Sequence, residues 1–233
     1  MNTIDREERV GLPRLVEGQR LDRATFHDLY EAMPEGTRAE LIGGVVSMAS
    51  ALGRRHGRYH INVAAWIANY LIHTPGIEAF DNASVFFEDH GEPQPDLAVR
   101  ILPEYGGRTR DEGKYYANGP ELIVEVADST LSKDLGTKLA DYERAGVPEY
   151  IVVGVEPPTV RRHLLRDGRL VEVGPGADGL DRSQVFPGLW LDPVALLSGD
   201  LRALRDVVDR GVATPEHPAF VARLAEVARG GRP

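Results

Sequence analysis

Four side chains place charge where the surrounding sequence is apolar or where their residue type is scarce. In ELIVEVA, residues 121–127, strand alternation puts Glu125 on one face with Ile123 and Ala127, and Leu122, Val124 and Val126 on the other. An unpaired carboxylate in such surroundings costs several kcal/mol. Glu125 therefore needs a cation, a metal or a hydrogen-bond donor, takes up a proton, or sits close enough to the strand end to reach water. Asp96 follows Pro93 and Pro95 in EPQPDLAVRI, where the prolines force an extended lead-in to a strand marked by Leu97, Val99 and Ile101. It either shapes a turn or presents a second carboxylate. Glu40, flanked by Ala39 and Leu41, either pairs with an arginine such as Arg38 or adds a third.

The chain has only three lysines, Lys114, Lys133 and Lys138, among 27 basic residues. A lysine offers a compact charge and a removable proton that arginine does not. Lys138 borders the apolar stripe Leu131, Leu135, Leu139 and Tyr142, from which it can reach back toward Glu125 or pair locally with Asp134. His56 and His60 are four apart, the spacing at which two imidazoles share a metal, although no Glu follows His56 as a metalloprotease helix would require. Together with Arg54, Arg55 and Arg58 they form RRHGRYH, the densest basic segment, suited to a phosphate backbone or to a solvated helix start.

These residues need elements to hold them. The pattern predicts a helix over 24–33, capped by Asp22 or Thr25 and stopped by Pro34. A hairpin follows over 38–49 with Gly43-Gly44 at its turn, then a helix over 57–73. Strands are expected over 77–87, 95–101 and 121–127, with a loop from Pro103 to Gly119. LIVEV and YIVVGV read as strands covered on both faces. A helix with Ser132 as N-cap joins them, ending at Ala145-Gly146 before Pro148, which makes a right-handed strand-helix-strand crossover. A second hairpin turns at Asp167-Gly168, and short amphipathic helices fill the stretch from about 193 to a flexible GGRP. The expected fold is a mixed α/β domain over 22–198, between an N-terminal extension (1–21) and a C-terminal helical extension (199–233).

Composition bounds the function. With 233 residues and 42% hydrophobic content, a single domain buries enough core to fold without staples. The absence of Cys excludes disulfides, thiolate-held metals and a cysteine nucleophile. No apolar run reaches membrane-spanning length and the acidic start is unlike a signal peptide, so a cytoplasmic protein with no membrane partner is expected. The net charge of −9 opposes nucleic acid, leaving any such contact to a local patch.

The order Glu40, Pro95-Asp96, Glu125 and Lys138, with QPDLAV and PELIVEVADSTLSKDLGTKLADYERAGVPEYIVV, resembles the Uma-type putative restriction endonucleases, a branch of the PD-(D/E)XK nuclease superfamily. The likeness is close over 93–155 and looser over about 22–198. It implies a restriction-endonuclease-like fold, a central mixed sheet flanked by helices, and a metal-dependent DNA endonuclease that hydrolyses phosphodiester bonds. By that resemblance Asp96 and Glu125 hold Mg²⁺ or Mn²⁺, Glu40 assists, and Lys138 orients or deprotonates the attacking water. Arg54, Arg55, His56 and Arg58 then contact DNA, and a homodimer follows from the need to cut both strands. Two positions depart from the superfamily pattern: Ala127 stands where a Lys usually follows the Glu by two residues, so the lysine comes from the helix, and Gly43-Gly44 replaces the common Asp-Gly. A non-catalytic interaction protein of the same fold, assembled through its C-terminal helices, remains the other reading of the acidic charge.

Overall fold

The computed structural model describes residues 14–49, 52–88 and 90–230. Asp22 caps α1 (Arg23–Glu31) by accepting from the Thr25 amide at 2.9 Å. β1 (Ala39–Ile42) and β2 (Val45–Met48) form the expected hairpin, and the turn needs glycine because Gly43 and Gly44 both have positive φ, 57° and 77°. α2 (Arg54–Leu71) begins a turn earlier than the apolar spacing predicts, which carries His56 into the helix and buries it.

The run expected as one strand over 77–87 divides into β3 (Ile77–Phe80) and β4 (Val85–Phe86). Asn82, with φ of 49°, lies in the break. β5 (Leu97–Ile101) follows. The expected loop over 103–119 contains a short 3-10 turn, Pro103–Tyr105, and the antiparallel pair β6 (Arg110–Glu112) and β7 (Tyr115–Ala117), beside which β4 lies in parallel.

β8 (Leu122–Ala127) leads into α3 (Leu131–Lys133), a π-helical turn over Asp134–Lys138, and α4 (Leu139–Arg144). Thr130, not Ser132, occupies the cap position of this helix. β9 (Glu149–Val155) then runs parallel to β8, completing the predicted crossover. The second hairpin, β10 (Pro158–Arg166) and β11 (Arg169–Val173), turns through Asp167 and Gly168, both with positive φ. β12 (Asp181–Arg182), β13 (Trp190–Leu191), α5 (Pro193–Ser198), α6 (Leu201–Val212) and α7 (Glu216–Gly230) finish the described chain, and the last three residues of the expected flexible end lie outside it.

The main sheet has the order β11-β10-β9-β8-β5-β3, parallel only between β8 and β9. Leu122, Val124 and Val126 face one core, closed by Trp66 and Tyr70 of α2, Leu196 of α5, Leu204 and Val208 of α6, and Phe220 of α7. The C-terminal helices thus share a core with the sheet, each fully buried large side chain contributing about 1.5–3 kcal/mol. Ile123 and Ala127 face the other core with Tyr142, Val147 and Val152. That second face, overlaid by α3 and α4, is where Glu125 points.

Candidate active site

The site lies where the sheet opens. β5 and β8 pair from Val99↔Leu122 to Leu97↔Val124, whereas β8 stays paired with β9 as far as Ala127↔Gly154. Pro95 and Pro93 have no N–H to extend the β5 ladder. The Val126 amide donates instead to Asp96 Oδ2 at 2.7 Å. Asp96 is therefore one step beyond the last pair, beside Glu125, and a backbone donor holds it there.

Glu125 is 3% exposed, and its Oε1 accepts from Lys138 Nζ at 2.8 Å and from the Tyr142 hydroxyl at 2.5 Å. The π turn ends at Lys138, a distortion that often marks functional positions. Lys138 Nζ also lies 3.0 Å from Glu40 Oε1, which in turn accepts from the Gln94 amide at 2.9 Å. The lysine thus ties the first hairpin to the central strand. Glu40, which could have paired with an arginine, pairs with the buried lysine.

Glu40, Asp96, Glu125 and Lys138 all line one cavity of about 410 Å³, which Arg38, His56, Lys133 and Asp134 also border. Burial pushes Glu125 up to about 8; Lys138 pulls against this, while Asp96, Asp134 and Glu40 add to it. Lys138 is opposed by its own burial, yet Glu125, Glu40 and Asp134 raise it well above the ordinary lysine range, so it keeps its proton. Burial also works against Asp96, but the hydrogen bond and charge of His56 and the Val126 amide hold it below the usual carboxylate range. His56, 3.1 Å from Asp96 Oδ2, is raised mainly by that hydrogen bond, against a desolvation penalty. Five carboxylates, with Asp128 the fifth, thus share the cavity with Arg38, two lysines and one imidazole. The oxygen donors of Asp96 and Glu125 fit a hard divalent cation.

The basic segment divides in two. Arg54, Arg55 and Arg58 are exposed beside the cavity, with Arg55 paired to Asp128 at 3.3 Å and Glu156 at 2.9 Å. His56, grouped with them by sequence, instead turns inward to Asp96. Lys133 also borders the cavity, with Nζ bonded to Ser47 and 3.8 Å from Glu40. Two of the three lysines therefore border one cavity, and their scarcity was the signal for both. Tyr142 read only as core, because its hydroxyl partner is distant in sequence.

Residues 23–195 match the family described as Uma2, Putative restriction endonuclease. A crystal structure described as a putative nuclease belonging to DUF820, from Anabaena variabilis ATCC 29413, is similar at a TM-score of 0.57 and 17% identity, covering 73% of this chain and 96% of that one. At that identity the likeness bears on the fold, which is the mixed sheet flanked by helices that the sequence implied. No curated protein matches the chain.

Proposed function

The chain belongs to the Uma2 putative restriction endonuclease family, and from that premise we propose that it is a metal-dependent endonuclease hydrolysing phosphodiester bonds in DNA. The observation that carries this reading is the convergence of Glu40, Asp96, Glu125 and Lys138 on one cavity from four separate stretches of the chain. Asp96 and Glu125 would hold Mg²⁺ or Mn²⁺, which supplies Lewis acidity and a bound water of lowered pKa.

The protein's own groups do the rest. Lys138 stays protonated, so it orients the attacking water and stabilises charge on the phosphate instead of removing a proton. Glu40 and Tyr142 fix the positions of Lys138 and Glu125. Lys133, on the more open side with its side chain 31% exposed, faces an incoming phosphate. Arg54 and Arg58, with Arg55 partly neutralised, guide the duplex against a net charge of −9.

Supercoiled plasmid with Mg²⁺ or Mn²⁺ at low salt tests the proposal. Wild type should cut it, whereas Asp96→Ala and Glu125→Ala purified in parallel should not. Linear rather than nicked product would indicate that two copies act together. Equal cutting by all three proteins, or none by wild type, would overturn the proposal.

A further inference from the structure

His56 and His60 stand one turn apart on α2 with their rings stacked, centroids 5.8 Å apart. One nitrogen from each ring and one carboxylate oxygen of Asp96 lie within 4.8 Å of one another. His60 Nε2 is 3.0 Å from Asp81 Oδ2, and its Nδ1 is buried with no hydrogen-bond partner. A carboxylate that holds one imidazole nitrogen and leaves the other free is how proteins orient histidine toward a metal. His56 is 5% exposed and presents Nε2 to Asp96, the nitrogen it would offer to an ion held by that carboxylate.

From this geometry we infer that His56, His60 and Asp96 form a metal site adjoining the Asp96 and Glu125 pair, selective for a transition ion such as Mn²⁺, Co²⁺ or Zn²⁺. Imidazole nitrogen suits these ions, whereas Mg²⁺ is bound through oxygen. Ligands about 2.0–2.1 Å from a tetrahedral ion stand about 3.3 Å apart. His56 Nε2 and Asp96 Oδ2, at 3.1 Å, come close to that spacing, with the ion displacing the proton they share, and His60 offers a nitrogen from the next turn of α2. Two imidazoles and one carboxylate leave a coordination position open to water or a phosphate oxygen. Because Asp96 is shared, the inference rests on the proposed function's assignment of Asp96 as a metal ligand.

Co²⁺ added to the chelator-stripped full chain tests it, read by visible ligand-field absorption and by calorimetry. Wild type should bind with an imidazole-type band. Asp81→Asn, whose side chain is 57% exposed and whose loss should spare the fold, should weaken binding about tenfold or more. His60→Gln should weaken it further, and Glu125→Gln should retain the band. Absence of the band in wild type, or equal affinity in His60→Gln, would overturn the inference. The readout is independent of cleavage. Plasmid cutting with Mg²⁺ but no His60-dependent Co²⁺ binding defeats this site alone, whereas Co²⁺ binding without cutting defeats the nuclease reading alone.

Discussion

Glu125→Gln offers a direct test of how the buried charge is held. Glutamine keeps the size of the side chain and an oxygen that can accept from Lys138 and Tyr142, so the change removes chiefly the titration. In the folded protein Glu125 is raised from 4.5 to about 8 by burial. Its proton is bound more tightly folded than unfolded, so the associated stability is fully present below pH 4.5 and is lost as pH rises toward 8. Each unit corresponds to about 1.4 kcal/mol, so wild type should lose several kcal/mol relative to Glu125→Gln between pH 5 and pH 8. Other raised acids, among them Glu92, Glu121 and Glu149, are present in both proteins and cancel in the difference. Urea unfolding at four pH values in chelator, followed by fluorescence of the buried Trp66 and half-buried Trp190, neither of which lines the cavity, would measure it. A difference that stays constant from pH 5 to pH 8 would show that Glu125 is ionised throughout beside Lys138, and would refute the argument from burial.

Tyr142→Phe removes the 2.5 Å donor to Glu125 without opening a cavity. Its plasmid cleavage rate should fall about 10- to 100-fold while DNA affinity in a mobility-shift assay stays unchanged; an equal loss of affinity would place Tyr142 in binding instead. Replacing Arg54 and Arg58 by Ser should lower the slope of log affinity against log salt by about 2, with Arg55→Ser contributing less because its charge is already paired. An unchanged slope would move the DNA contact elsewhere. A Cβ on Gly211 would stand 2.2 Å from the Gly188 carbonyl oxygen, where α6 approaches the turn before β13. Gly211→Ala should therefore cost about 1–3 kcal/mol in urea, and full retention of stability would mean that α6 can shift.

What the sequence disclosed was set by range. The helix start capped by Asp22, one of two candidates, the Gly43-Gly44 turn and the face on which Glu125 lies follow from a few neighbouring residues, and all three are found. The errors came from tertiary competition. Val85 and Phe86 read as a continuation of β3, yet the left-handed backbone at Asn82 sends them to a separate sheet beside β7. Gly57 looked like a helix start, but α2 continues back through Arg54, and the extra turn places His56 against Asp96, 40 residues away. Glu40 had a local arginine in Arg38, but pairs instead with Lys138, nearly 100 positions on. Such partners are selected by where the first hairpin and the π turn meet β8, which no local pattern encodes.

The same meeting of elements explains why charge persists in this core. An acid on a central strand is costly wherever both faces are covered, and β8 is buried along its whole length. The exception is the point at which Pro93 and Pro95 end the β5 ladder, because there the Val126 amide loses a strand partner and needs a side-chain acceptor. Asp96 supplies it, which brings a second carboxylate beside Glu125. The two acids then demand positive charge in a place water reaches poorly, and Lys138 at the end of the π turn meets only part of that demand, since it also serves Glu40. A fold selected for stability alone would do better with an apolar residue at 125. Retaining Asp96 and Glu125 side by side where the β5 ladder ends favours the binding of a cation, and the stability given up at Glu125 is available to be regained when that cation binds.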